Sequence, residues 1–452
     1  MQPFEKIKEY SKSVCDQIRW KKAHSVITEE IENHLIDQRD AYIADGADEI
    51  TATNNAIVQM GDPITIGTQL DRTHRPKSQW SMILLATTLL FIGIFIRIFI
   101  NYGLTPTELI STVIGLGFMV VAYFSDFTLV GKYPKTIYFS IQALSIVALI
   151  ISPIIRGRAY YAAFITLLFP LGFAAIVYVT RNKGYLGIIL CGLSFLLPAC
   201  IALLITTISG FLLFAVSGLI ILSIGIAKSW FKVKKLCGYL LVYIPTAVTL
   251  LLAIMKISAG GVWTRLQIAI DPSIDPIGAG YIGTAVRALL GGSKLFGHGD
   301  LPAEYAMSAF PLSRASIDTD YLLTYLIFKI GWIAFIIIMS MLLFFIIKGF
   351  MLCFRQKSSL GLFVSISIML TFTMQVIGYV IVNLGFQFTG PISLPLISYG
   401  KIATIINLSL IGIMLSVFRT GDIVNDKNAN IIRNDSIITW SNGKLIISFS
   451  KK

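Results

Sequence analysis

Apolar residues arrive along this chain in runs of about twenty, the length an α-helix needs to cross the roughly 30 Å hydrocarbon core of a bilayer. Ten runs are predicted as membrane helices, at residues 80–100, 107–125, 135–153, 159–179, 185–205, 208–227, 236–255, 321–347, 358–382 and 400–419. The pattern changes at both ends. In residues 1–78 apolar positions recur at helical spacing, as Val26, Ile27, Ile31 and Leu35, with Glu29, Glu30 and Glu32 between them. A break is expected at Asp45-Gly46, then a helix over about 48–60 that ends at Gly61-Asp62-Pro63. A shorter helix over 64–70 leads into Arg72, Arg75 and Lys77. This segment holds no signal-peptide-like apolar stretch, so translocation is expected to begin with the first span. Beyond the last span, Ser441-Asn442-Gly443-Lys444 parts two β-prone runs, which predicts a hairpin.

The expected fold class is therefore an all-α polytopic membrane protein with ten transmembrane helices. It has a small cytoplasmic helical N-terminal domain (1–78), a membrane domain (79–420) and a cytoplasmic tail (421–452). Composition agrees: 55% of the 452 residues are hydrophobic and 13% charged, and the mean hydropathy of +0.77 excludes a string of soluble domains. The run Thr28 to Leu35, then Gly46, then Met60-Gly61-Asp62-Pro63, resembles the helical prefix of some bacterial permeases and sensors. His34 and its neighbouring carboxylates read as a solvated helix face rather than a metal site. The prefix carries thirteen acids against ten bases, a mixed charge that argues against nucleic-acid binding. Cys15, Cys191, Cys200, Cys237 and Cys353 show no metal-ligand spacing, and no disulfide framework is expected.

Charge also orients the chain. Four connections predicted to be cytoplasmic hold eleven Lys and Arg, whereas the four short outward ones hold only Arg156 and Arg158. The positive-inside rule then places both termini in the cytoplasm. The acids are equally uneven. Of eight between Trp80 and Arg419, six (Asp271, Asp275, Asp300, Glu304, Asp318 and Asp320) lie in the large extracellular loop 256–320, between helices 7 and 8. That loop also holds Arg265, Arg287, Lys294, Arg314, His298 and nine glycines. A sixty-five-residue loop with its own apolar stretch is expected to fold. Carboxylates and cations gathered at one membrane face suit chemistry on a lipid-linked, phosphate-bearing substrate. A merely solvated loop fits the composition equally well.

The order of the loop's residues resembles the SEDS family, the FtsW/RodA/SpoVE group of cell-wall polymerases. The resemblance rests on Trp263-Thr264-Arg265, Asp275-Pro276-Ile277-Gly278, Gly291-Gly292-Ser293-Lys294-Leu295-Phe296-Gly297-His298-Gly299 and Thr319-Asp320. It continues through Asn383, Thr389-Gly390-Pro391 and Leu394-Pro395-Leu396-Ile397-Ser398-Tyr399-Gly400. The family implies a peptidoglycan glycosyltransferase that polymerises lipid II at the outer face of the bacterial plasma membrane. The resemblance implies wall synthesis in cell shape, division or sporulation, with a class B penicillin-binding protein as partner. Asp320 matches the family's essential aspartate. As a general base it would activate a sugar hydroxyl; as a plain structural residue it would cap the helix that follows. Arg265, Arg287, Lys294 and Arg314 are candidates for the pyrophosphate, whose developing charge needs cationic donors. Each also suits contact with anionic headgroups. Thr319 and Ser398 complete the candidate substrate-binding set. The glycines permit tight turns but form no nucleotide-binding loop. No metal site is read from the sequence, and whether a divalent cation takes part is left open.

Several positions depart from the family. A glutamate is usual where Lys329 stands, and an unbroken helix over 321–347 would carry Lys329 about 13 Å deeper than Asp320. Phe169-Pro170-Leu171-Gly172 with Ala175 replaces an acid and a lysine in the fourth span; Ile205-Thr206-Thr207 replaces Gln-Pro-Asp; Lys401 replaces a glycine. Two further readings follow. One is a catalytically degenerate scaffold or regulator of the transpeptidase; the other is a lipid II flippase, for which no internal repeat is visible.

Overall fold

The computed structural model describes residues 3–74, 78–101, 106–155, 157–259, 262–300, 320–390, 392–398 and 400–421, and the strand residues 438–441 and 444–447. The chain divides into two compact units, Met1–Ser78 and Gln79–Lys452.

The first unit is four helices, Pro3–Asp16, His24–Ala44, Glu49–Met60 and Pro63–His74. Ile7, Val14, Ile27, Leu35, Ala52 and Ala56 form its core. Ile27, Ile31 and Leu35 are buried on the expected stripe, while Val26 is half-buried at its edge. The helix Pro3–Asp16 is an addition to the sequence reading, and its signal is the spacing of Ile7, Tyr10 and Val14, all buried. Aspartates start the third and fourth helices. Asp48 accepts from the Thr51 N–H at 3.1 Å, and Asp62 accepts from the Thr65 N–H and hydroxyl at 2.8 Å each. These bonds hold both carboxyls below the usual carboxylate range. The fourth helix runs past residue 70 to His74, where Asp71 accepts from the Arg19 N–H at 2.9 Å.

The second unit contains, among the described residues, ten helices long and apolar enough to span a bilayer. They are Trp80–Phe99, Pro106–Phe124, Pro134–Ile151, Tyr160–Thr180, Gly184–Leu204, Ile208–Ala227, Lys235–Leu252, Trp332–Phe354, Ser359–Asn383 and Lys401–Thr420. The fourth and ninth are 89% and 83% buried against 11% for the seventh, so those two form the centre of the bundle. The fourth bends through a 3₁₀ turn at Thr166–Leu168, just before Pro170. The second and tenth spans approach closely because Gly115 and Gly412 lie between them. A Cβ on Gly115 would stand 2.7 Å from Leu408, and one on Gly412 would overlap the Met119 carbonyl. Small residues at such crossings let backbones pack.

The expected eighth helix is not continuous. A short helix, Leu322–Ile330, stops at Gly331, whose φ of 110° favours glycine, and the spanning helix starts at Trp332. Lys329 therefore precedes the span instead of lying at its middle, and its Nζ stands 5.7 Å from the centre of the Tyr325 ring. Arg97 stands near the end of its span, where a cation is expected to snorkel. It does not reach past the end of its span but is buried, donating from Nε to Glu108 Oε2 at 2.6 Å and from its terminal nitrogen to Oε1. At the far end of the chain, strands Ile438–Ser441 and Lys444–Ile447 pair antiparallel, with Ser441 opposite Lys444.

Candidate active site

The loop between the seventh and eighth spans begins with helix Val262–Ile270, passes a turn at Pro272–Ile274 and continues as helix Tyr281–Gly291. Its acids build turns. Asp271 accepts from the Ser273 hydroxyl at 2.6 Å and its N–H at 3.2 Å; Asp275 accepts from the N–H groups of Gly278 at 3.0 Å and Ala279 at 2.8 Å. Asp300 pairs with Lys294 at 2.8 Å. The Ser273 bonds, with a smaller contribution from Arg287, hold the Asp271 carboxyl below its usual range, and Lys294 does the same for Asp300.

The helix Tyr281–Gly291 is anchored beside Asp320. Val286 and Leu289 pack with Tyr321, Phe328 and Val382 in a small buried cluster. The glycine-rich segment that follows seals the break in the eighth span. Trp332 and Ile333 donate to the carbonyls of Lys294 and Leu295 at 3.1 and 3.3 Å; Gly297 and Gly299 donate to those of Ile330 and Phe328, both at 2.8 Å. Groups that the broken helix leaves open are met by this segment, so the break is built and not frayed.

Asp320 stands two residues before the short helix Leu322–Ile330, and Tyr321, not Asp320, occupies its N-cap position, with no cap bond from its side chain. The first-turn amides are met from the ninth span. Leu322 donates to the Tyr379 hydroxyl at 3.1 Å and Thr324 to Asn383 Oδ1 at 3.0 Å. Asn383 Nδ2 donates to the main-chain carbonyl of Asp320 at 3.0 Å. Tyr379, Asn383 and Thr324 are fully buried, whereas Asp320 is half-buried. Half-burial at the start of a helix leaves a carboxylate reachable while removing part of its hydration.

The proposed cations differ in their surroundings. Arg287 donates to the Ile270 carbonyl, stands 3.7 Å from Asp271 and lies over the Phe386 ring at 5.2 Å, so it staples the two loop helices to the end of the ninth span. Lys294 is tied to Asp300 in an exposed pair. Arg265 is exposed on Val262–Ile270 with no ion-pair partner among the described residues. Arg314 and Thr319 lie outside the described residues. Ser398 is buried and closes its own turn, accepting from the Leu394 N–H at 2.6 Å and donating to the Leu394 carbonyl at 3.2 Å. Tyr379 and Thr324 were not singled out from sequence. The signal was there in Tyr379 and Asn383, two polar residues four apart at the end of an apolar helix and so on one face of it.

Where the family carries charges in the fourth span, this chain packs rings: Phe169 and Phe173 meet Phe214 edge-on at 5.8 and 5.7 Å, and Phe195 stacks on Phe214 at 4.7 Å. Before the sixth span, Thr207 accepts from the Gly210 N–H at 3.2 Å, the cap bond an aspartate there would also make. A side-chain amide network lies elsewhere in the bundle. Gln375 and Asn407 exchange amide bonds at 3.2 and 3.3 Å, and Ser393 donates to Gln375 at 3.3 Å.

The family model of the cell cycle proteins FtsW, RodA and SpoVE matches residues 104–422. The chain belongs to this family and is a multi-pass plasma-membrane protein. It is 28% identical over 158 residues to the peptidoglycan glycosyltransferase MrdB of Escherichia coli, a match covering 34% of this chain and 40% of that one. To the probable peptidoglycan glycosyltransferase FtsW of Trichlorobacter lovleyi it is 26% identical over 153 residues, covering 34% and 39%. Each match thus spans about two-fifths of the relative's length. Among solved structures, a chain of a peptidoglycan synthase complex superposes with a TM-score of 0.59 at 16% identity, over 76% of this chain and 98% of the other. The rod shape determining protein RodA of Thermus thermophilus gives 0.51 at 15% identity, over 76% and 97%. These likenesses establish the ten-helix fold.

Proposed function

We propose that this chain is a peptidoglycan glycosyltransferase that polymerises lipid II at the outer face of the bacterial plasma membrane, with Asp320 as general base and both termini in the cytoplasm. The observation that carries the reading is the seat of Asp320: its carbonyl is held by Asn383, and two amides of the helix it precedes are met by the ninth span. Asp320 takes the proton of a sugar hydroxyl on one lipid-linked disaccharide. The hydroxyl oxygen bonds to the anomeric carbon of the growing glycan, and the bond from that carbon to the pyrophosphate breaks, its electron pair leaving with the lipid pyrophosphate. Arg265 is the described cation best suited to that leaving group, since Arg287 and Lys294 have partners in the fold. Arg314 and Thr319 remain in the proposed site, and Ser398 contributes through the turn it closes. A class B penicillin-binding protein is the proposed partner, and the unit Met1–Ser78 a docking or regulatory element.

The test is polymerisation of labelled lipid II by the purified protein, alone and with its cognate transpeptidase. Polymer from the wild type and none from Asp320→Asn is expected; equal product from both removes Asp320 as the base. The packed rings of the fourth span favour a second reading, a family member kept as a scaffold for the transpeptidase. That reading requires no product from the wild type in either condition.

A further inference from the structure

We infer that Tyr379 and Asn383 are positioning residues for Asp320, fixing where its carboxylate stands relative to the sugar hydroxyl. The inference rests on the glycosyltransferase reading above. Asn383 uses its whole amide on this task. Nδ2 donates to the carbonyls of Asp320 at 3.0 Å and Tyr379 at 2.9 Å; Oδ1 accepts from the Thr324 N–H at 3.0 Å and its hydroxyl at 3.1 Å. An amide has two donor hydrogens and two acceptor lone pairs, so none is left over. The single Thr324 hydroxyl hydrogen is shared between Asn383 Oδ1 and the Asn383 main-chain carbonyl, 2.8 Å away, which ties the two helices together at this point.

A helix could cap itself with a neighbouring serine or aspartate. Here, two first-turn amides and the preceding carbonyl are instead bonded to a different, centrally buried span. The consequence is geometric. The Asp320 carbonyl and the helix it precedes are bonded to a span at the centre of the bundle. The far end of the same short helix is fixed by the segment 294–299. A base held this way meets its substrate at a set distance, and a displacement near 1 Å can cost on the order of 100-fold in rate.

The ninth span also supplies its own control. Gln375 lies one turn before Tyr379 and is equally buried, yet it bonds Asn407 and Ser393 and none of the groups around Asp320. Tyr379→Phe keeps the ring and removes the acceptor for Leu322. It is expected to lower kcat per folded molecule for lipid II polymerisation on the order of 10–100-fold, with KM within about twofold and a modest loss of thermal stability from the unpartnered Leu322 N–H. Thr324→Val should lower kcat likewise, and Thr324→Ser, which restores the hydroxyl, should recover it. Gln375→Leu should lower thermal stability while leaving kcat per folded molecule unchanged. Wild-type kcat in both Tyr379→Phe and Thr324→Val, with Asp320→Asn inactive, overturns the positioning role alone. The same holds if Gln375→Leu loses kcat as far as they do. Wild-type kcat in Asp320→Asn overturns the underlying assignment of the base.

Discussion

The N–H of Trp332 donates to the carbonyl of Lys294 at 3.1 Å, joining the first residue of the eighth span to the glycine-rich segment thirty-eight positions earlier. With its three companion bonds it turns Gly331 from a tolerated glycine in an apolar run into a fixed corner. The corner matters because it makes Leu322–Ile330 a separate short rod whose two ends are held by different parts of the bundle.

Gly331→Ala should therefore be costly. A side chain is strained at φ 110°, and its Cβ would overlap the Leu295 carbonyl. Strain of this kind costs about 1–3 kcal/mol before any clash. Gly378→Ala, in the helical ninth span with nothing within 4 Å, is the comparison, and it should be neutral or gain up to about 1 kcal/mol from helix propensity. Thermal unfolding in detergent micelles separates the two. Equal stability of the variants would mean that the corner is not a structural constraint.

Arg97 and Glu108 give a second case. Their side chains are 11% and 8% exposed, so either charge left alone would be poorly hydrated. Removing one partner of such a pair costs about 3–5 kcal/mol, whereas replacing both with apolar residues is often close to neutral. Arg97→Leu and Glu108→Leu should each be strongly destabilised, and the double variant should lie nearer the wild type than either. A double variant as unstable as the sum of the singles would show that the two residues act independently.

Nine of the ten spans were legible from sequence to within a few residues, because the length of an apolar run is set by the bilayer, whereas the eighth starts eleven residues later than its apolar run suggests. The corner at Gly331 was not legible, since glycine is common in membrane helices and only a distant partner, the Leu295 carbonyl, makes this one a break. The burial of Arg97 was not legible for a similar reason: its partner sits on the next span, and snorkelling is the default for a cation near a helix end. Motif order singled out both Asp320 and Asn383, but not the bonds between them or the part played by Tyr379, because these residues lie some sixty positions apart. Arg287 and Lys294 looked alike as surface cations. Only folding shows that one staples two helices and the other pairs at the surface.

Asp271 supplies a pH-dependent prediction. The Ser273 bonds hold its carboxyl below the ordinary value of about 3.9. A depressed carboxylate contributes stability above its unfolded pKa, and that contribution is lost as pH falls through the folded value. Hydrogen-exchange protection of Tyr281–Gly291 in nanodiscs should hold from pH 7 to 5 and decline only below about pH 4. In Ser273→Ala the decline should begin at higher pH, because Asp271 moves back toward its ordinary range. Coincident acid transitions in the two proteins would show that this turn does not set the loop's acid stability.

The unit Met1–Ser78 has a core of its own, in which Ile7, Val14, Ile27 and Leu35 are at most 2% exposed. Its third and fourth helices are started by their own aspartates, and Asp71 ties the last of them back to Arg19. None of these bonds draws on the membrane spans. Removal of residues 1–74 is accordingly expected to leave membrane insertion, thermal stability of the remaining chain and lipid II polymerisation unchanged, while altering localisation or partner recovery in cells. The cut falls after the last helix of the unit and ahead of Trp80, so no spanning residue is lost. Insertion can be followed by protease protection, and polymerisation by gel analysis of labelled glycan. A truncated protein that inserts normally and has lost polymerisation would make the unit part of the catalytic machinery rather than a docking element.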